Sequence, residues 1–353
     1  MAAKKTPITG GVDTHGQTHH AAAVDNQTGR VLGDKEFPAT AAGYRALLAW
    51  LRLHGAVVKV GVEGTGTYGA GLARYLVAED IPLVEVDRPD RKTRRAKGKS
   101  DPIDAIAAAR AALSGQADGA PKTRTGPVEA IRALRVARRG AVKARTAALN
   151  QLHGLIVAAP QELRDELDTQ PKAALVAYCT QLAVDEQYLA DPVQATRAAL
   201  RAIAQRVQHL AAEVAQANKC LKPVVAKTAP TLSALMGVGP EVAGQLLATA
   251  GDNPDRLRSE AALAHLCGVA PIPASSGRKD RHRLNRGGDR AANNALHTIV
   301  LCRMRYDPRT RDYVDRRTKQ GLGKKEIMRC LKRYVVREVH EALFADFKIL
   351  NSA

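Results

Sequence analysis

Aromatic residues are scarce in this chain of 353 residues: three Phe, one Trp and eight Tyr, 3% of the total. Its cores must therefore be built from Ala, Leu, Val and Ile. Cysteine is sparse too. Cys179, Cys220, Cys267, Cys302 and Cys330 are odd in number, scattered, and never in a C-x-x-C pair. That argues against a disulfide framework and a zinc site, and leaves reduced thiols. No apolar run approaches the roughly 18 residues that a membrane span needs. The opening Met1-Ala-Ala-Lys-Lys-Thr-Pro lacks the apolar core of a signal peptide. A cytoplasmic protein is the expectation.

Acidic residues are outnumbered, 35 Asp+Glu against 54 Lys+Arg, for a formal charge of +19 and a pI near 10.0. The excess is clustered. Residues 88–99, 122–145, 278–290 and 303–337 carry +6, +7, +4 and +9. Together they hold +26, which leaves the rest of the chain at −7. Clustered positive charge is the electrostatic footprint of a polyanion, most often nucleic acid. The basic residues expected to meet it are Arg91, Lys92, Arg94, Arg95, Lys97 and Lys99 in the first cluster. Arg135, Arg138 and Arg139 follow in the second, and Arg278, Lys279, Arg281 and Arg286 in the third. The intervening stretch 160–195 is acidic and is expected to face away from nucleic acid.

The patterning divides the chain. With 45% hydrophobic residues it can bury real cores. Short β-branched runs over 8–25, 29–37, 57–64 and 81–87 alternate with helical patterns over 41–55, 67–80 and 101–113. That predicts an α/β domain with a mixed sheet over residues 1–120. From about residue 127 the pattern is helical. Leu200, Ile203, Val207, Leu210, Val214, Ala217 and Leu221 are spaced three and four apart, a seam of about three heptads. It predicts either a coiled coil between protomers or a helix packed within its own chain. We assign 121–227 to a helical, coiled-coil linker and 228–353 to a third, mainly α domain. In the latter, residues 232–251 read as helix, Gly-Val-Gly-Pro turn, helix. Gly237 and Gly239 permit a helix-hairpin-helix-like turn whose backbone N–H groups can meet phosphate. An ordinary helical hairpin is the alternative.

Four acids stand out. Asp13 lies in an early strand, Glu63 ends another, and Asp101 and Asp104 open a helix three residues apart, on one face. Strand ends and helix starts can converge at one edge of an α/β sheet. Carboxylates meeting there would repel unless cations neutralised them, and such oxygen donors suit Mg²⁺ or Mn²⁺. Two such ions can activate a nucleophile and stabilise a leaving oxygen in phosphodiester chemistry. Each acid also has a structural alternative. Asp101, between Ser100 and Pro102, can be a first-turn partner of the helix dipole, and Glu63 a solvated strand end.

GVDTH (11–15), VGVEGTGTYG (60–69) and KSDPIDA (99–105), in this order, resemble the DEDD site of bacterial insertion-sequence transposases of family 110. GVGPEVAGQLL (237–247), AALAHLCGVAPIPASSGRKDR (261–281) and NRGGDRAANNALHTIV (285–300) resemble that family's C-terminal domain. The resemblance implies a RuvC-like, ribonuclease-H-like fold for the N-terminal domain. It implies catalytic and metal-holding roles for Asp13, Glu63, Asp101 and Asp104, and a nucleophilic serine matching Ser276, with Ser275 adjacent. It further implies strand cutting and rejoining through a 5′-phosphoserine link, target and donor DNA, a guiding bridge RNA, and dimers that become tetramers on synapsis. Two positions depart from the family pattern: Gly16, where many relatives carry Lys, and Asp289, where Asn is frequent. A metal-dependent junction nuclease without a covalent intermediate, and a non-enzymatic nucleic-acid binder, are the competing readings.

Overall fold

The computed structural model describes residues 6–86, 100–253, 257, 259–275 and 282–352. The chain divides into two compact units. One comprises residues 1–126 with 250–263, the other 127–249 with 264–353.

The first unit is built on a five-stranded sheet. Its strands are β1 (Pro7–Thr14), β2 (Thr18–Asp25), β3 (Val31–Pro38), β4 (Ala56–Glu63) and β5 (Leu83–Val86). The spatial order is β3-β2-β1-β4-β5. The first three strands run antiparallel as a meander, while β4 pairs parallel with β1, and β5 with β4. Parallel strands need a crossover. It is supplied between β3 and β4 by α1 (Ala41–His54) and between β4 and β5 by α2 (Ala70–Ala78). Thr40 caps α1 by accepting the Gly43 N–H at 3.1 Å, and Gly55 ends it. The mixed sheet is the RuvC-like arrangement that the sequence led us to expect.

Strand alternation sends side chains to two faces. On one face Ile8, Val12, Ala21, Val60 and Val62 pack with Leu47, Leu48 and Leu51 of α1 and Leu72 and Leu76 of α2. The other face carries Gly11 and Gly61, and here α3 (Asp101–Ser114) lies on the sheet. A Cβ on Gly11 would stand 2.1 Å from the Ala109 nitrogen and 2.3 Å from the Ala105 oxygen. One on Gly61 would stand 2.7 Å from the Ala108 oxygen. The helix answers with its own small residues: Ala105, Ala108, Ala109 and Ala112 are all buried. Backbone meets backbone, so α3 has little room to shift.

The second unit is helical. Its long members are α4 (Pro127–Val157) and α7 (Pro192–Thr228), packed along one another. Between them come the short α5 (Gln161–Asp168), α6 (Leu175–Thr180) and a 3₁₀ turn at Glu186–Tyr188. In the heptad seam Leu200, Val207, Val214 and Leu221 are buried, and Ile203, Leu210 and Ala217 are half-buried. The seam is thus used within the chain, against α4 and the small core around Leu152, Leu163 and Leu167. Beyond it follow α8 (Pro230–Ala234), α9 (Pro240–Ala250), α10 (Glu260–Leu266), α11 (Arg290–Tyr306), α12 (Pro308–Lys319) and α13 (Lys324–Ser352). Of these, α10 runs across the boundary between the two units. A two-stranded hairpin, β6 (Ile272–Pro273) with β7 (His282–Arg283), precedes α11. Buried Asp346 of α13 accepts the Thr231 and Leu232 N–H groups at 2.8 and 2.9 Å, satisfying the start of α8.

Candidate metal centre and serine loop

Register places the acids. Gly11 pairs with Gly61 and Val12 with Val62, so Asp13 and Glu63 close neighbouring strands in step. Two residues beyond Gly11 and Gly61, they project to the same face as those glycines, the α3 face. Their strand ends are tied together: Thr14 Oγ1 donates to the Glu63 carbonyl at 2.8 Å. Gly64, at φ +71°, then turns the chain out of β4, a conformation that favours glycine. On α3, Asp104 lies one turn before Ala108, on the inner face. Ser100 holds the extended cap position without a side-chain cap bond, and Asp101 is the first helical residue.

Asp13, Glu63 and Asp104 are buried, each 7–8% exposed. Asp101 is half-exposed. His15, just past β1, joins them: its Nε2 stands 3.1 Å from Asp13 Oδ2 and 3.3 Å from Asp101 Oδ1. Among the described residues, Asp13, His15 and Asp101 form the cluster whose donor atoms all lie within 4.8 Å of one another. Glu63 and Asp104 are not members of it, though both are buried on the same side of the sheet. Two carboxylate oxygens and an imidazole nitrogen at this spacing can hold one divalent cation, and the carboxylates would favour Mg²⁺ or Mn²⁺. Without an ion, the imidazole can bridge the two carboxylates.

His15 was absent from the expected ligand set, yet Asp-x-His gave its signal. Residues two apart at a strand end share a face. Next to it, His19 is fully buried, stacked on Tyr44 with ring centres 5.6 Å apart. Burial lowers its pKa from the ordinary value, chiefly by desolvation of the charged form. Its Nδ1 bonds the Thr18 carbonyl at 3.0 Å, while Nε2 has no partner among the described residues. Burial thus favours the neutral ring, and a proton on Nδ1 would be donated to the Thr18 carbonyl.

The serine loop belongs to the other unit. The ladder pairs Ile272 with Arg283 and Pro273 with His282. Ser275 is exposed, whereas Ser276, Arg278, Lys279 and Arg281 lie outside the described residues. Asp289 follows the hairpin and caps α11. Its Oδ1 accepts the Ala291 and Ala292 N–H groups, and its Oδ2 accepts from Thr249 Oγ1 at 2.7 Å.

Comparison with known proteins now bears on these two regions. Residues 10–159 match the family model for the DEDD domain of IS110 elements, described as "Transposase". Residues 229–315 match a second model, "Transposase IS116/IS110/IS902 family". The chain belongs to the IS110 transposase family. It is also similar to the "Insertion element IS110 uncharacterized 43.6 kDa protein" of Streptomyces coelicolor, with 36% identity over 93 residues. That match takes in 26% of this chain and 23% of the relative, so the chain spans about a quarter of that protein's length.

For this IS110 family member, the basic residues expected to meet nucleic acid fall into distinct classes. Arg139 and Arg286 are exposed. Arg138 is held by Glu241 at 3.2 Å and Asn218 at 2.6 Å. Arg135 corrects the expectation. It is 4% exposed, and its guanidinium is bound by Glu241 at 2.7 Å and Gln245 at 2.8 Å. It ties α4 to α9 inside the second unit. Arg91, Lys92, Arg94, Arg95, Lys97 and Lys99 lie outside the described residues.

The helix-hairpin-helix reading is altered as well. Its first helix, α8, has only five residues. Gly237 adopts φ +86°, and a Cβ there would stand 3.2 Å from the Ile299 oxygen of α11. Gly237 thus serves a packed turn, while Gly239 is exposed with open space around it. No helix among the described residues is long and apolar enough to cross a membrane.

Proposed function

We propose that this protein is a DNA transposase and site-specific recombinase, cutting and rejoining strands of an insertion sequence. The observation that carries the reading is the cluster of Asp13, His15 and Asp101 on the α3 face, within the residues that match the DEDD transposase model. Asp13, Glu63, Asp101 and Asp104 are the proposed catalytic acids. With His15 added, they would hold Mg²⁺ or Mn²⁺. The donor set fits: the three donor atoms lie within 4.8 Å of one another, and two carboxylates this close favour a cation between them. When bound, such an ion lowers the barrier to attack on phosphorus and stabilises the departing oxygen.

Ser276, by its family resemblance and its place in the sequence before Gly277, is the proposed nucleophile. In the step proposed, its Oγ forms a bond to phosphorus and the bond to the 3′-oxygen breaks. The hydroxyl proton ends on the released 3′-OH, and a 5′-phosphoserine link remains. The proposed partners are target and donor DNA, a bridge RNA that pairs with both, and further copies of this chain as dimer and tetramer. Sequence choice would then rest on base pairing, with the protein reading shape and backbone. The proposed organisation keeps a metal-dependent domain over 1–120, a helical linker over 121–227 and a serine-bearing transposase domain over 228–353.

The test is a denaturing gel of protein incubated with donor and target DNA, RNA and Mg²⁺. Wild type should yield a covalent adduct, abolished by Ser276→Ala and by Asp13→Asn. Cleaved ends with free 5′-phosphate and no bound protein would replace this reading with a junction nuclease. An adduct that survives Ser276→Ala and is lost in Ser275→Ala would move the nucleophile by one residue.

A further inference from the structure

The C-terminal unit contains a cavity of about 930 Å³ that, among the described residues, none of the proposed catalytic groups lines. Its walls are the β6–β7 hairpin and the segment before it, the end of α12, and α13. Six lining side chains are cationic: Arg283, Arg317, Arg329, Lys332, Arg333 and Arg337. One acid, Glu326, lines it with them and pairs with Arg329 at 3.7 Å. The charges crowd one another. Burial, and then the neighbouring Arg329, hold the Lys332 ammonium below its ordinary pKa. Lys332 also donates to Asn293 Oδ1 at 2.8 Å, which fixes it at the wall.

The cavity also has an aromatic wall. Tyr334 is 48% exposed in a chain with few aromatics. Its ring is propped edge-on by Tyr313, with centres 5.7 Å apart, and Arg337 lies over it at 5.7 Å. A buttressed ring beside guanidinium groups is what a base stacks on, and the surrounding cations match the phosphates on either side of it. The volume falls in the span of roughly 300–1,000 Å³ typical of small-molecule sites. A duplex keeps its bases stacked inside and presents phosphates on a convex surface, so it cannot fill a concavity with a ring in its wall.

We propose that this cavity receives an unpaired nucleotide of a nucleic-acid strand, its base against Tyr334 and its phosphates on the arginines. The proposal deepens the nucleic-acid reading above but needs neither the metal centre nor Ser276. A strand-exchange enzyme must hold nucleotides that have left one helix and not yet joined another, and this site would hold one.

The experiment is fluorescence anisotropy of the full-length protein with a labelled oligothymidine pentamer and an abasic pentamer of equal charge. Wild type should prefer the pentamer with bases by about tenfold or more, the usual worth of base–aromatic stacking. Tyr334→Leu should erase that preference, and Tyr334→Phe, which keeps the ring and controls for folding, should retain it. Arg329→Gln should weaken both pentamers alike. Equal binding of the two pentamers by wild type, or a preference untouched by Tyr334→Leu, would overturn the proposal. The preference supports the cavity whether or not a covalent DNA adduct forms, so failure of the recombinase reading would be seen separately.

Discussion

Asp13, His15 and Asp101 each have an ordinary explanation in isolation, and their spacing is what sets them apart. Removing one carboxylate should matter far more to chemistry than to folding. We expect Asp13→Asn to lower strand cleavage by about a thousandfold or more, on the scale of losing a principal electrostatic element of a site, with the melting temperature nearly unchanged. Cleavage assay and thermal unfolding of the same preparation check this. His19 behaves in the opposite way, because its burial disfavours the charged form. Its folded pKa is lowered, so between that value and the unfolded value near 6.5 the unfolded chain binds more protons. Stability is therefore full above about pH 6.5 and falls as pH drops through that window. His19→Phe should flatten the slope in denaturant titrations at pH 5 to 7. Cysteine reactivity is graded by burial as well. Cys267 is pushed up to about 12 by desolvation, whereas Cys220 is exposed. Maleimide labelling near pH 7.5, read by peptide mass spectrometry, should modify Cys220 first and leave Cys267 unmodified in the folded protein.

The elements carry the geometry of the site, and α3 does so most directly. It rests on Gly11 and Gly61 with no space for a methyl group. Gly11→Ala must lift the helix and carry Asp101 and Asp104 away from Asp13. The cost in stability should be about 1–3 kcal/mol, as for overpacking elsewhere, and cleavage should be lost although no catalytic group has changed. Gly140 in α4 is the control, since a Cβ there meets nothing within 4 Å. Gly140→Ala should stabilise by about 1 kcal/mol through helix propensity alone. Paired thermal melts of the two variants would show opposite signs. Much at this scale was legible in the sequence. The strands and helices of the first unit follow from short β-branched runs and from periodic Leu and Ala. Arg135 was misread because it was counted with its charged neighbours. Its spacing from Val128 and Ile131, three and then four residues, places it on the apolar stripe of α4, where the structure finds it. The Gly237 turn was open to two readings, because a glycine required by packing against α11 looks, in sequence, like one required by phosphate. The serine loop offers no such periodicity. Only the resemblance, not the residue pattern, raised Ser276 above an ordinary turn residue.

At the scale of the whole molecule, the charge of +19 is concentrated, and part of it is consumed internally. Arg135, Arg138 and Arg303 sit in ion pairs with Glu241 and Glu338. The exposed remainder still predicts binding to nucleic acid that weakens steeply with salt, since each phosphate neutralised releases a counterion. Affinity for duplex DNA should fall by orders of magnitude between low and physiological salt, read by filter binding or anisotropy. The heptad seam is largely used up against α4. Substituting Leu210 by Lys should therefore destabilise the second unit rather than merely separate protomers, as sedimentation and melting together would reveal.

The most direct question is whether the face formed by Asp13, His15 and Asp101 holds a metal ion. Electron spin-echo measurements on the protein titrated with Mn²⁺ can answer it, because a coordinated imidazole nitrogen modulates the manganese signal. Wild-type protein should bind Mn²⁺ with nitrogen modulation. His15→Ala should lose the modulation, and Asp13→Asn should lose most of the binding. Manganese binding that is unaltered in both variants, or no binding by the wild type, would contradict a metal centre at this edge of the sheet.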